Sequence, residues 1–169
     1  GDSDKRVRSD AVRALGELAK ASPSLAPKTL EALLKATRDS NWEVRKAAAH
    51  ALGEIVKAAP SLVSKALYKI GLKALVKAVG DADAKVRSTA ARALGEFVKV
   101  APSLAPKALE ALRKAAGDDE WGVRRAAASA LGELAKASPS LAPKTLEALL
   151  KAAGDDHWRV REAAARALG

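Results

Sequence analysis

The stretch Asp39–Gly53, DSNWEVRKAAAHALG, decides the fold, because its skeleton occurs five times in the chain. The Val-Arg pair stands at Val7-Arg8, Val44-Arg45, Val86-Arg87, Val123-Arg124 and Val160-Arg161. An Ala-rich stretch follows each pair and closes on Ala-Leu-Gly, ending at Gly16, Gly53, Gly95, Gly132 and Gly169. Successive pairs lie 37, 42, 37 and 37 residues apart. A period of this size means a stacked array, because one such unit cannot bury its apolar face alone. It predicts one domain over residues 1–169, four and a half repeats starting near 1, 38, 80, 117 and 154.

Two kinds of helix alternate. Taking Val44 as origin at ~100° per residue, Ala48, Ala51, Leu52 and Ile55 fall within about 80° of it and form a core stripe. Asp4, Ser40 or Asn41, and Asp83 are candidate N-caps for this helix type. Ala49 and Gly53 lie on another face, and their equivalents stay small except at Val12. A mid-helix Gly costs about 1 kcal/mol relative to Ala, so its return in one slot predicts close helix-to-helix approach. The second type reads Ser24 to Lys35, with Pro23 ending the preceding helix and Ser24 offered as cap. Pro27 sits in the first turn, where its missing N–H costs nothing, and Leu30, Leu33 and Leu34 form the stripe. The expectation is an all-α chain of about nine helices that begins and ends with the Val-Arg type.

The second interval is irregular. Residues 61–79, SLVSKALYKIGLKALVKAV, add five residues and place Ser64 where other repeats have Pro27, Pro106 and Pro143. A longer second helix is expected, with a bulge or kink near Gly71, read as a packing irregularity with a specialised contact at Tyr68 as the alternative. Residues 14–36 and 130–152 are identical, which implies a very recent duplication or a written sequence. The absence of Met fits a trimmed, recombinant or consensus-composed chain.

Composition narrows the function classes. Aromatics make up only 3% of 169 residues, so Ala, Leu and Val carry the packing and helices must lie close. With no Cys, disulfides and thiolate chemistry are excluded. No apolar run approaches the ~20 residues that span a bilayer, and no signal peptide is visible, so no membrane association is expected. Localisation stays open, cytoplasmic if the chain is natural. Nine of the ten net positive charges fall on the second helix type, reading as a solvated Lys-rich face.

The pattern D-x-x-x-x-V-R-x-x-A-x-x-A-L-G, at Asp39 to Gly53 and Asp81 to Gly95, resembles HEAT repeats over essentially the whole chain. It is similar to the short HEAT-like repeats of phycobilisome-lyase type and to engineered alphaRep-type scaffolds. The resemblance implies a right-handed α–α superhelix whose Val-Arg helices line the concave face. It also implies an Asp–Arg ladder between repeats, with Asp39, Asp81, Asp118 and Asp155 and Arg45, Arg87, Arg124 and Arg161 at the matching positions.

Catalysis is not expected. His50 and His157 lie nearly three repeats apart, and no phosphate loop, Ser/His/Asp set or His/Cys cluster is present. HEAT-like DNA glycosylases use Trp and an acidic residue in a basic groove, but the Val-Arg segments together are close to neutral. No cofactor, metal or small-molecule substrate is implied.

Variation against the constant framework carries the functional signal. Two residues before each Val stand Lys5, Trp42, Ala84, Trp121 and Trp158; one before stand Arg6, Glu43, Lys85, Gly122 and Arg159. Two after come Ser9, Lys46, Ser88, Arg125 and Glu162, and six after come Arg13, His50, Arg92, Ser129 and Arg166. These slots lie roughly 160–260° from Val, opposite the core. Trp and Arg are enriched in binding hot spots. The candidate contact set is therefore Trp42, Lys46, His50, Arg92, Trp121, Arg125, Ser129, Trp158, Glu162 and Arg166. Each Trp could equally fold over the adjacent repeat and shield the ladder. The expected function is a designed or consensus-like scaffold for protein recognition or rigid assembly. Self-association through uncapped ends is expected with it. The alternatives are nucleic-acid binding through Lys65, Lys69, Lys73 and Lys77, which is disfavoured, and a repeat module with no ligand.

Overall fold

The computed structural model describes residues 4–58, 60 and 65–169, and among these every regular element is helical. The Val-Arg helices are α1 (Lys5–Ala21), α3 (Trp42–Ala58), α5 (Ala84–Val100), α7 (Trp121–Ala137) and α9 (Trp158–Leu168). Between them run α2 (Ala26–Ala36), α4 (Lys65–Ala78), α6 (Ala105–Ala115) and α8 (Ala142–Ala153). The fold is an α–α superhelix, an all-helical solenoid.

Local chemistry sets the helix ends. Asp4 caps α1 by accepting from the Arg6 N–H at 2.7 Å, and Asp83 caps α5 by accepting from Lys85 at 2.8 Å. At α3 the Asn41 side chain accepts from Glu43 at 2.9 Å, so Asn41 rather than Ser40 holds that end. The second helices start differently from expectation. Pro23–Leu25 forms a 3-10 turn, α2 begins at Ala26, and Ser24 makes no capping bond. Proline's fixed φ nucleates that turn, and the same turn recurs at Pro102–Leu104 and Pro139–Leu141.

Packing follows the predicted stripes. Val44, Ala48, Ala51, Leu52 and Ile55 are all buried, as are Leu30 and Leu33, with Leu34 half-buried beside them. Burying a Leu or Ile side chain this fully contributes about 1.5–3 kcal/mol. Each Val-Arg helix packs along the next, α1 on α3, α3 on α5, α5 on α7 and α7 on α9. Gly provides the close approach. A Cβ placed on Gly16, Gly53 or Gly95 would stand 3.0, 3.1 or 3.1 Å from the Cβ of Ala51, Ala93 or Ala130. The second helices touch one another only sparsely. The tighter spacing of the Gly/Ala row bends the stack and puts the Val-Arg helices on its inner layer.

The irregular repeat packs around an aromatic ring. α4 is longer, 14 residues against 11 for α2 and α6, and runs uninterrupted through Gly71, so the expected bulge is absent. A Cβ at Gly71 would lie 2.9 Å from Cζ of Phe97, a ring that takes the space a side chain would need. Tyr68 is buried edge-on to Phe97 at 6.1 Å, and its hydroxyl donates to the Pro60 carbonyl at 2.9 Å. Ser64, where the proline pattern breaks, lies outside the described residues, as does the side chain of Lys65.

Candidate binding face

An arginine–aspartate ladder fixes one repeat against the next. Arg8 donates to Asp39 at 2.8 and 3.0 Å, Arg45 to Asp81 at 2.7 and 2.8 Å, and Arg124 to Asp155 at 2.7 and 2.9 Å. The third guanidinium nitrogen of Arg45 donates to the Asp39 and Ser40 carbonyls of its own repeat. Each Asp therefore pairs with the arginine of the preceding repeat, a register that brings in Arg8 and leaves Arg161 on its own carbonyls at Asp155 and Asp156. The hydrogen bond from Arg8 holds the Asp39 carboxyl below its ordinary range, and that from Arg124 does the same for Asp155. At Asp81 and Asp118 burial pushes upward but is outweighed by the guanidinium groups of Arg45 and Arg87. A second set of ties, Lys20 to Glu54 at 3.5 Å and Lys99 to Glu133 at 3.1 Å, runs between the later turns of the Val-Arg helices. Glu and Lys at these positions are constant from repeat to repeat, so variation between repeats carries no signal of it.

With the repeats locked in register, the variable slots come to lie along the inner face. Lys46, His50, Arg92, Arg125, Ser129, Trp158, Glu162 and Arg166 are exposed, while Trp42 and Trp121 are half-buried against the core. Each half-buried tryptophan meets the following repeat. The Lys85 ammonium lies 4.4 Å from the Trp42 ring, and the His157 ring stacks on Trp121 at 4.1 Å and 2°. Arg159 lies over both Trp121, at 5.3 Å, and Trp158, at 5.1 Å. Trp158 has no following repeat among the described residues and is 56% exposed. Ser9 departs from its slot: the short side chain is buried and its Oγ has no hydrogen-bond partner, where Lys46 and Arg125 reach clear of the surface.

Two grooves and a notch open between these helices. The first groove, about 570 Å³, is lined by the cations Arg13, Lys46 and Arg92, by Trp42 and His50, and by Glu17, Glu43 and Glu54. The second, about 500 Å³, sets Arg92, Lys99, Arg125, Lys136, Arg159 and Arg166 against Glu96, Glu133 and Glu162. The notch, about 300 Å³, lies between Ala84 and Gly122 against Trp121. So the near-neutral sum over the Val-Arg segments hides a polarity. The ladder pairs Asp81, Asp118 and Asp155 one for one with Arg45, Arg87 and Arg124, and beyond it the second groove keeps six cations against three carboxylates, so the C-terminal half of the inner face is basic. Among the described residues no three His, Asp or Glu side chains are grouped to hold a metal ion. Nor, among the described residues, is any helix long and apolar enough to cross a membrane.

The family model for HEAT repeats matches residues 1–69 and 72–169, and that for a HEAT-like repeat matches 42–97. An engineered protein solved by a structural-genomics consortium is 28% identical with a TM-score of 0.74, over 99% of this chain and 74% of that one. A designed armadillo repeat protein in complex with the peptide (KR)4 is 24% identical with a TM-score of 0.68, over 99% of this chain and 76% of that one. Kap95p, solved with RanGDP, superposes at a TM-score of 0.78 and 18% identity over 99% of this chain and 23% of that one. The last two likenesses concern the fold alone. No curated protein matches the sequence.

Proposed function

The chain belongs to the HEAT-repeat family, and from that premise we propose that it is a protein-recognition scaffold acting through the inner face of its Val-Arg helices. One observation carries the reading: most side chains in the slots that differ between Val-Arg helices, Lys46, His50, Arg92, Arg125, Ser129, Glu162 and Arg166 among them, stand exposed on one face, over a core and a ladder that repeat. A stack locked by guanidinium–carboxylate pairs needs little ordering on binding, which saves about 0.5–1.5 kcal/mol per side chain already held in place. Lys46, His50, Arg92, Arg125, Ser129, Glu162 and Arg166 supply adaptable polar contacts, with Trp42, Trp121 and Trp158 as apolar surface between them. The engineered neighbours and the identity of residues 14–36 with 130–152 favour a written or consensus-like sequence. No reaction belongs to this reading; the chemistry is that of a surface.

The test is capture. The intact chain and a K46A/H50A/R92A/R125A variant, all exposed positions, are immobilised side by side in a protein mixture. Retention by the intact chain and loss by the variant is expected. Equal retention, loss only on replacing Lys69, Lys73 and Lys77 of α4, or no retention by either overturns the reading.

Self-association is a second reading with an observation of its own. Of the seven large apolar side chains standing exposed among the described residues, Val7 and Leu18 lie on α1, Leu146 and Leu150 on α8, and Trp158 and Leu168 on α9. Their counterparts Val44, Ile55 and Leu30 are covered by neighbouring repeats. A mass above the monomer in sedimentation at ~100 µM is expected from mass action on such surfaces, and a strictly monomeric mass overturns it.

A further inference from the structure

Two omissions in the variable slots fall next to each other. Ala84 occupies the slot that holds Trp42, Trp121 and Trp158 elsewhere, and Gly122 occupies the slot that holds Glu43, Lys85 and Arg159. Stacking α5 on α7 brings both small residues to one opening of about 300 Å³ walled by Trp121. Nothing lies within 4 Å of where a Cβ on Gly122 would stand. Cations surround the opening: Lys46, Lys85 and Arg92 line it, and Glu120 is the one carboxylate there. Arg92 also lines both grooves, so the notch is continuous with the basic half of the inner face.

The cations of that half divide into two sets. Arg166 is neutralised by Glu162 at 2.6 Å and Lys99 by Glu133 at 3.1 Å. Arg92, Arg125, Lys136 and Arg159 have no carboxylate within 4.0 Å among the described residues. We infer that this half-groove takes an acidic, extended peptide segment, with one carboxylate side chain seated in the Ala84–Gly122 notch. The inference deepens the inner-face reading and rests on it. Packed helices lie about 8–10 Å apart and an extended chain rises about 3.3 Å per residue, so one acidic residue in every two or three meets each repeat. The paired carboxylates Glu96, Glu133 and Glu162 interrupt the run of cations, which suits spaced charges better than a phosphate backbone, whose charges are closely and evenly spaced. A peptide sets neutral residues opposite them. The unpaired cations also steer encounter of an acidic partner, at a rate that falls with salt.

The experiment is fluorescence anisotropy with three labelled probes: an alternating Glu-Gly decapeptide, its Lys-Gly counterpart and single-stranded oligo-dT. The Glu-Gly peptide is expected to bind the intact chain in preference to the other two. The variants R92E/R125E and A84W, the second filling the notch, are each expected to weaken it by about tenfold, a difference of roughly 1.4 kcal/mol. Circular dichroism confirms that the exposed R92E/R125E pair and the half-buried A84W leave the helices intact. The inference is overturned by equal binding of the Lys-Gly peptide, by tighter binding of oligo-dT, or by an A84W variant as tight as the parent. It is overturned too if K69E/K73E on α4 costs as much as R92E/R125E. Concave variants that abolish protein capture while no probe prefers acid would sink this inference and leave the proposed function standing.

Discussion

Arg87 holds two repeats at once: it donates to Asp118 of the following repeat at 2.7 and 2.8 Å, and to the Asp81 and Ala82 carbonyls of its own at 3.1 Å. One planar side chain thereby fixes both the entry of its own helix and the position of the next, which a Lys ammonium could not do in the same geometry. Arg161 makes only the second kind of contact.

That contrast gives the first prediction. R87A removes charge-assisted bonds at a side chain only 14% exposed and should destabilise the fold by about 1.5–3 kcal/mol. R161A should cost well under half of that. Urea midpoints of the two variants against the parent decide it, and equal losses would mean that the inter-repeat bonds contribute nothing.

The ladder also sets the acid limb of stability. The four carboxylates of Asp39, Asp81, Asp118 and Asp155 are held below their ordinary range in the folded chain. A group whose folded pKa is depressed binds its proton more readily when unfolded, so its stabilisation is complete above the unfolded value of about 3.9 and disappears as pH falls through the folded value. Melting temperature should therefore be level from neutral pH to about 5 and fall steeply below about 4. D81N/D118N should flatten that fall while lowering the neutral plateau. An unchanged acid slope in the variant would place the titrating groups elsewhere.

How much of this was readable beforehand depends on whether one repeat or two carried the signal. The stripe Val44, Ala48, Leu52 lies within one helix, so its period alone identified the buried face. The Gly53 slot was readable because only close approach explains a Gly that returns. The pairing of Arg45 with Asp81 rather than with Asp39 was not, since both carboxylates stand at ladder positions and only the stacking register chooses between them. The stacking of His157 on Trp121 and the notch at Ala84 and Gly122 depend likewise on which slots adjoin across helices. Ser24 failed as a cap because proline geometry at Pro23 closes a 3-10 turn first.

Glycine substitutions separate close approach from plain helix propensity. G95V puts a branched side chain where even a Cβ would stand 3.1 Å from the Ala130 Cβ and 3.2 Å from its Cα. Overpacking of this kind costs about 1–3 kcal/mol. G122A faces open space and should be neutral to stabilising, by up to about 1 kcal/mol. Thermal melts of the pair give opposite signs; a harmless G95V would mean that the helices can move apart freely.

Tryptophan substitutions test whether these side chains serve the stack or a partner. Trp121 is half-buried, stacked on His157 at 4.1 Å and overlain by Arg125 at 6.0 Å and Arg159 at 5.3 Å. Removing it exposes core atoms and breaks a stacked pair worth about 0.5–1.5 kcal/mol beyond its area, so W121A should cost about 2 kcal/mol in all. Trp158 is 56% exposed, and W158A should stay within about 0.5 kcal/mol of the parent. If Trp158 nevertheless proves necessary for capture of a partner, its role is contact alone. If W121A melts like the parent, the tryptophans are not joining one repeat to the next, and all three belong to the binding surface.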